Sequence, residues 1–170
     1  DVGPLPKDAA RDALVKPARE LNVEFTPKAV EAIITETRGY PYFLQEWGKT
    51  SWDHAAASPI TDDDVVAASV LAIAALDESF FRVRFDRLTP AEKRYLRAMA
   101  ELGPGPHRSG EIAKMLAKKV TTLAPTRESL IGKGMVWSPN HGATAFTVPL
   151  FDEIMKRIMP DGAFESPARP

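Results

Sequence analysis

The stretch Leu130-Ile131-Gly132-Lys133-Gly134-Met135-Val136 decides the fold, because in it a helix ends and a strand begins without an intervening loop. Gly134 suits the position just after a helix, where the backbone often turns left-handed. Beyond it, residues 135–138 and 143–148 contain β-branched and aromatic side chains and flank a turn at Pro139-Asn140-His141-Gly142. We therefore expect a helix that leads directly into a β-hairpin.

Two further helices are predicted upstream. Thr89-Pro90-Ala91-Glu92 is a capping box with proline at the first helical position, and it predicts a helix that ends at Gly103-Pro104-Gly105-Pro106. The apolar stripe of that helix comprises Tyr95, Leu96, Met99 and Leu102. Ser109 is then predicted to cap a short second helix. Its inner face carries Ile112, Ala113 and Leu116.

The third helix is predicted to run from about Thr122 to Lys133, because Pro125 is tolerated only in the first turn of a helix. Pro149 is predicted to open a last amphipathic helix. The order helix, helix, helix, hairpin, helix is that of a winged helix-turn-helix domain. The run from Leu130 to Val136 resembles the end of a recognition helix that enters the first wing strand in many winged-helix proteins.

One interpretation of a winged helix places the third helix in the major groove of DNA. If Leu123, Leu130 and Ile131 point to the core, the opposite face of that helix meets solvent. The candidate DNA-binding residues are Lys118, Lys119, Thr122, Thr126, Ser129 and Lys133 on and before the helix, with Asn140 and His141 at the wing tip. The alternative is a winged helix that binds a protein, with Arg127 paired to Glu128 or Glu92 rather than offered to DNA.

The two halves of the chain differ in charge. Residues 1–80 contain 7 Lys and Arg against 14 Asp and Glu, whereas residues 81–170 contain 15 against 9. Between His107 and Lys133 there are six basic residues and two acidic ones. Such an asymmetry favours two modules with different partners, and the basic half is the candidate for nucleic acid.

The first half is predicted to be helical throughout. A helix is expected from Leu5 to Leu21 with a bend at Pro17, and a second begins at Thr26-Pro27 and stops at Gly39. Pro41 is predicted to open a third helix that extends to about His54. Thr61 is predicted to cap a long helix through Val66, Val70, Ile73 and Leu76 that continues towards Phe80, Phe81 and Phe85.

The expected fold class is mainly α, with a helical lid-like bundle followed by a winged helix-turn-helix domain that carries a small β-hairpin wing. The expected boundaries are residues 1–80 for the lid-like domain and residues 81–160 for the winged helix. Residues 161–170 are expected to form a disordered tail, because they have little to bury.

The string Thr37-Arg38-Gly39-Tyr40-Pro41-Tyr42-Phe43-Leu44-Gln45 is the most distinctive in the first half. It resembles the lid that follows the nucleotide core in prokaryotic and archaeal AAA+ ATPases related to the STAND signalling ATPases and the replication initiators. In that family a Gly-x-Pro motif at the start of a lid helix packs near the adenine, and a winged helix often follows the lid. The resemblance implies that Gly39 and Pro41 help to bind ATP or ADP in a longer protein.

The phosphate-cradling pattern GxxxxGK followed by Ser or Thr is absent, so we expect this chain not to be an enzyme alone and to bind no cofactor by itself. The expected partners are a missing N-terminal ATPase core and double-stranded DNA or a protein. The start at Asp1 without Met suits a piece of a longer protein. The alternatives are a free-standing winged-helix transcription regulator with a helical dimerisation or ligand domain, and a winged-helix interaction module.

Other classes of function have little support. The chain contains no cysteine, and its three histidines are far apart, so neither thiol chemistry nor a metal site is expected. The acidic run Asp62-Asp63-Asp64 is expected to complement a helix dipole rather than to bind a cation. No apolar run is long enough to cross a membrane, and no signal peptide is evident, so a cytoplasmic protein without a membrane partner is expected.

Overall fold

A computed structural model describes residues 3–160 of the chain. The predicted disordered tail, residues 161–170, lies outside the described residues. The chain divides into two compact units, Asp1–Phe80 and Phe81–Pro170. Helices dominate both, and a small three-stranded antiparallel sheet belongs to the second unit. The predicted fold class is thereby confirmed.

The first unit consists of four helices and the start of a π-helical segment, Asp77–Phe81. The helices are α1 (Lys7–Glu20), α2 (Pro27–Thr37), α3 (Pro41–His54) and α4 (Asp62–Leu76). As predicted, Thr26 and Thr61 cap α2 and α4, because their hydroxyls accept from Ala29 N at 3.1 Å and from Asp64 N at 3.3 Å. The pKa of the Asp64 carboxyl is lowered chiefly by the backbone N–H of Thr61.

The core of this unit lies where α3 packs on α2 and α4. Phe43, Leu44 and Trp47 are completely or almost completely buried there, and Trp47 Nε1 donates to Ser69 Oγ on α4 at 3.1 Å. The large apolar side chains of α4 do not all face the core. Leu76 is buried, whereas Val66 and Val70 are 68% and 71% exposed, because alanines on the opposite face of α4 make the close approach to the core.

The second unit has the element order of a winged helix. Its elements are α5 (Arg82–Asp86), α6 (Pro90–Leu102), β1 (His107–Arg108), α7 (Ser109–Met115), α8 (Val120–Gly132), β2 (Val136–Trp137), β3 (Ala143–Phe146) and α9 (Phe151–Ile158). The strands lie in the order β1-β3-β2 and pair antiparallel. The predicted hairpin consists of β2 and β3. The sequence does not predict β1, because a strand of two residues is too short to show an alternating pattern.

Three local predictions need correction. Helix α8 begins at Val120 rather than Thr122, so Pro125 lies beyond its first turn. Ser109 is the first residue of α7 rather than its cap, because its N–H donates to Gly142 O at 2.9 Å across the sheet. Helix α9 begins at Phe151, since Leu150 is left-handed with a φ of 64° and separates Pro149 from the helix.

Helix α6 is the central element of the second unit. The predicted capping box is present, with Thr89 N donating to Glu92 Oε2 at 2.7 Å. Tyr95, Leu96 and Met99 are buried as the apolar stripe predicts. The buried Arg97 pairs with Glu101 and donates to the Met159 carbonyl, which satisfies an acceptor at the end of α9. None of the helices within residues 3–160 is long and apolar enough to cross a membrane.

Candidate functional site

Helix α8 presents one face to the core and the other to solvent. Leu123 and Leu130 are buried, and Ile131 is half-buried. Of the candidate DNA-binding residues, Thr126 is half-buried and the remainder are exposed, namely Lys118, Lys119, Thr122, Ser129, Lys133, Asn140 and His141. The structure therefore gathers most of them at the start of α8 and at the wing tip, and it sets Ser129 and Lys133 apart at the end of α8.

Ser129 and Lys133 are engaged by the fold. Ser129 Oγ donates to Glu92 Oε1 at 2.7 Å, and Lys133 Nζ donates to Glu92 Oε2 at 2.7 Å and to the Arg87 carbonyl at 3.0 Å. The carboxylate is only 3% exposed. These two residues thus fasten the end of α8 to the start of α6, a role that the sequence alone did not indicate.

The pKa of Glu92 shows how strongly its hydrogen-bond partners stabilise the charged form of the carboxylate. Burial of the carboxyl raises its pKa, but the hydrogen bonds from Lys133, from the Thr89 backbone, from Ser129 and from the Thr89 hydroxyl together lower it further. The net result is a pKa lowered to about 2. Glu92 is consequently ionised at neutral pH, and the charge of Lys133 is matched within the domain.

Arg127 joins α8 to the sheet. It is held within the fold, as the protein-binding alternative expects, but its partners are not Glu128 or Glu92. Its Nε donates to Thr144 Oγ1 at 2.7 Å, and one terminal nitrogen donates to Ser138 Oγ at 2.8 Å and to the Ala143 carbonyl at 2.9 Å. The guanidinium provides several donors in one rigid plane and therefore bonds β3 and the wing loop at once. Arg127 is a positioning residue that sets the helix against the wing.

The cations that precede α8 have no such role in the fold. Lys114, Lys118 and Lys119 lie on the end of α7 and on the turn into α8, where Ala117 is left-handed with a φ of 50°. Within residues 3–160 their ammonium groups have no hydrogen-bond or ion-pair partner. The turn therefore presents unmatched positive charge beside the first, solvent-facing turn of α8.

A cleft lies under the start of α8. Its volume is about 120 Å³, and it is lined by Tyr95, Ser109, Val120, Leu123, Ala124, Arg127 and Glu128. Burial raises the pKa of the Tyr95 hydroxyl, although a hydrogen bond with Thr144 and the charge of Arg127 act in the opposite direction. Ligand sites usually occupy roughly 300–1,000 Å³, so this cleft suits solvent rather than a cofactor.

The Gly39–Pro41 motif has a clear structural role. Arg38 and Gly39 are both left-handed, with φ of 51° and 72°, and Pro41 opens α3. The Leu5 N–H donates to the Gly39 carbonyl at 2.8 Å, and a Cβ on Gly39 would lie only 3.0 Å from the Leu5 carbonyl oxygen. The glycine therefore allows the segment that leads into α1 to lie directly on the turn between α2 and α3.

A larger groove lies elsewhere on the first unit. It has a volume of about 330 Å³ and lies between α1 and α3, with Leu14, Pro17, Leu44, Gly48 and Trp52 among its lining residues. Gly39 and Pro41 are not part of its wall. The structure thus does not bring the predicted nucleotide-binding residues into this groove, and their contact with ATP stays a prediction. No cluster of three metal-binding side chains occurs among the described residues.

Comparisons with known proteins give limited relationships. Residues 78–155 match a family described as a domain of unknown function (DUF8462). No curated protein matches the sequence. The chain is similar in structure to Thermotoga maritima RuvB, titled a Holliday junction branch migration motor, with a TM-score of 0.40 and 20% identity over 82% of this chain and 46% of that one.

A single-substitution variant of the same RuvB gives a TM-score of 0.41 and 19% identity, and the similarity covers 85% of this chain and 46% of the variant. The chain thus spans less than half the length of these RuvB chains.

Proposed function

We propose that this chain is the lid and winged-helix region of an AAA+-type ATPase, and that its winged helix binds duplex DNA through phosphate contacts. One observation carries the DNA part of the proposal. The fold uses Arg127 and Lys133 internally but leaves Lys114, Lys118 and Lys119 unmatched at the start of α8. Cations that stabilise no carboxylate are available to neutralise phosphates, and phosphate contacts supply much of the affinity of proteins for DNA.

The exposed side chains of α8 favour backbone contact over base recognition. Thr121 and Thr122 face solvent near its start, and Glu128 is the exposed charged residue in its middle. The side chains that most often read base edges, arginine on guanine and asparagine or glutamine on adenine, are missing from this face. We therefore expect duplex affinity with little dependence on base sequence.

A titration of fluorescently labelled duplex DNA at about 50 and about 200 mM salt tests this proposal. We expect binding that weakens with salt, and the double variant Lys118→Gln/Lys119→Gln should reduce the slope of log K against log salt concentration by about two. Arg11→Gln/Lys28→Gln is the matched control, because these exposed cations of the first unit also have no partner within the described residues. Absence of duplex binding at the lower salt concentration would refute the proposal.

The lid part of the proposal rests on the resemblance of residues 37–45 to AAA+ lids. In this proposal the nucleotide is held mainly by a P-loop core outside this sequence, and Gly39 and Pro41 approach it when the core is present. The chain alone is then neither an ATPase nor a tight binder of ATP. Isothermal titration of the chain with ATP should give weak or undetectable heat, and tight binding would contradict this assignment.

Binding of a protein is the second candidate function, and it belongs to the first unit. Val66, Val70 and Leu71 are 68%, 71% and 52% exposed on neighbouring turns of α4. Contiguous apolar exposure of this kind marks interaction surfaces in soluble proteins. The partner that fits the lid resemblance is the ATPase core. In that case, Val66→Ser/Val70→Ser should abolish co-purification with that core and leave duplex binding unchanged.

A further inference from the structure

The strand registers of the wing determine which side chains share a face of the sheet. Directly opposite residues of antiparallel strands point to the same side, and successive residues of one strand point to opposite sides. His107 pairs with Thr144, and Val136 pairs with Phe146. These four residues therefore share one face of the sheet, and it is the inner face because Arg127 of α8 reaches Thr144 Oγ1 there.

The outer face carries the remaining pairs. Arg108 is opposite Ala143, and Trp137 is opposite Ala145. The outer face thus carries an arginine on one outer strand and a tryptophan on the other. The two alanines of β3 between them are only 6% and 8% exposed, so the exposed surface of this face belongs to Arg108 and Trp137. Neighbouring strands are about 4.8 Å apart, and the partners of Arg108 and Trp137 are two residues apart along β3, so the two backbones are separated by about 12 Å at these positions.

Trp137 is 51% exposed, which leaves much of its ring in contact with solvent. Arg108 is also exposed, and its guanidinium has no ion-pair or hydrogen-bond partner within residues 3–160. The hairpin from Gly134 to Leu150 contains no Asp or Glu. The carboxylate next to Arg108 is that of Glu111, whose Oε2 accepts from the Arg108 backbone N–H at 2.7 Å. An aromatic ring and a cation on a face without hairpin carboxylates suit a flat base joined to a phosphate.

We propose that the outer face of the wing binds an unpaired nucleotide of single-stranded DNA, with the base stacked on Trp137 and an adjoining phosphate held by Arg108. This inference rests on the proposed DNA binding and extends it. Duplex is held by the start of α8, and the wing holds an unpaired strand beside that duplex.

The test compares a blunt DNA duplex with the same duplex carrying a single-stranded tail, using the full chain. Quenching of tryptophan emission reports binding, because Trp47 is buried and Trp52 lies on α3 of the other unit. We expect the tail to raise affinity, and Trp137→Ala to reduce that advantage about ten-fold, as stacking energies per base imply. Trp137→Phe should keep most of the advantage, and Arg108→Gln should lower both the advantage and its dependence on salt.

For the variants that lack Trp137, the fluorescence anisotropy of labelled DNA gives the same comparison. Trp52→Phe is the matched control and should leave the affinity advantage of the tailed duplex unchanged. Circular dichroism checks that the Trp137→Ala variant remains folded. If this variant unfolds, Trp137→Phe takes its place in the comparison, because it preserves an aromatic ring. Equal affinity of the wild-type chain for both DNAs overturns the inference, as does an advantage that survives in Trp137→Ala. If Lys118→Gln/Lys119→Gln no longer binds the blunt duplex but still binds the tailed duplex, the two sites are separate. If the wild-type chain binds neither DNA, both proposals are refuted.

Discussion

At Glu92 one carboxylate serves two purposes, since it caps the start of α6 and also receives Ser129 and Lys133 from the end of α8. A buried carboxylate is stable only when its charge is matched by hydrogen bonds and a cation. Glu92 has both, and its pKa of about 2 follows. The sequence predicts the cap from the Thr-Pro-Ala-Glu pattern alone, but it does not predict the two long-range partners, because they depend on how α8 crosses α6.

We predict that Glu92→Gln lowers the free energy of unfolding of the second unit by about 2 kcal/mol at pH 7, because an amide cannot match the charge of Lys133. The folded pKa is lowered from 4.5 to about 2, so the stabilisation is present above pH 4.5 and is lost as the pH falls towards 2. Urea denaturation at pH 7 and pH 3 should therefore show a smaller difference between wild type and variant at pH 3.

Glu128→Gln is the control for this measurement. Glu128 is an exposed carboxylate of α8 and has no partner within the described residues, so its substitution should change stability by less than about 0.5 kcal/mol at either pH. A difference between wild type and Glu92→Gln that is unchanged at pH 3 would show that the charge of Glu92 is not what stabilises the domain.

At the level of elements, the predictions succeed where a local signal is strong and fail where distant partners decide. The capping box and proline locate α6, and Gly134 locates the end of α8. Strand β1 is too short to show a period and forms because β3 offers it partners. The prediction for the start of α8 is wrong because it requires Pro125 in the first turn, whereas the helix contains Pro125 one turn later.

The same contrast holds for the candidate functional residues: the sequence predicts those that depend on local signals and not those that depend on distant partners. The order of elements predicts the exposure of Lys118, Lys119, Asn140 and His141. The sequence does not predict the role of Arg127, because its acceptors are on β3 and in the wing loop. The sequence also does not predict that Arg108 and Trp137 lie opposite alanines of one strand, because that arrangement depends on how β1 and β2 pair with β3.

The turn between α2 and α3 offers a test of the Gly-x-Pro motif. We predict that Gly39→Ala destabilises the first unit by about 1–3 kcal/mol, because its φ is 72° and the added Cβ meets the Leu5 carbonyl at 3.0 Å. Thermal unfolding followed by far-ultraviolet circular dichroism measures the change.

Gly132→Ala is the matched control for the turn, since Gly132 lies in α8 and an added Cβ would meet no atom within 4 Å. It should be neutral or stabilising by up to about 1 kcal/mol. A Gly39→Ala variant as stable as wild type would remove the structural explanation of the motif and leave nucleotide contact as the better one.

At the scale of the molecule, the charge division coincides with two units that each have their own core. The first unit contains seven more acidic than basic residues and the second six more basic than acidic residues, and the proposed DNA contacts all lie in the second. Net negative charge repels DNA over a Debye length of about 10 Å at 0.1 M salt. The acidic unit should therefore weaken duplex binding by the whole chain in a way that salt removes.

We predict that a chain of residues 81–170 folds without the first unit and binds duplex DNA more tightly than the whole chain at about 50 mM salt. The two affinities should converge at higher salt, where the repulsion is screened. Circular dichroism melting establishes whether the fragment is folded, and the titration of labelled duplex gives the affinities. Residues 1–80 serve as the control and should not bind, because their excess charge is negative. If the fragment is folded but binds duplex more weakly than the whole chain, the lid contributes DNA contacts of its own. If the fragment is unfolded, the winged helix depends on the lid for its stability.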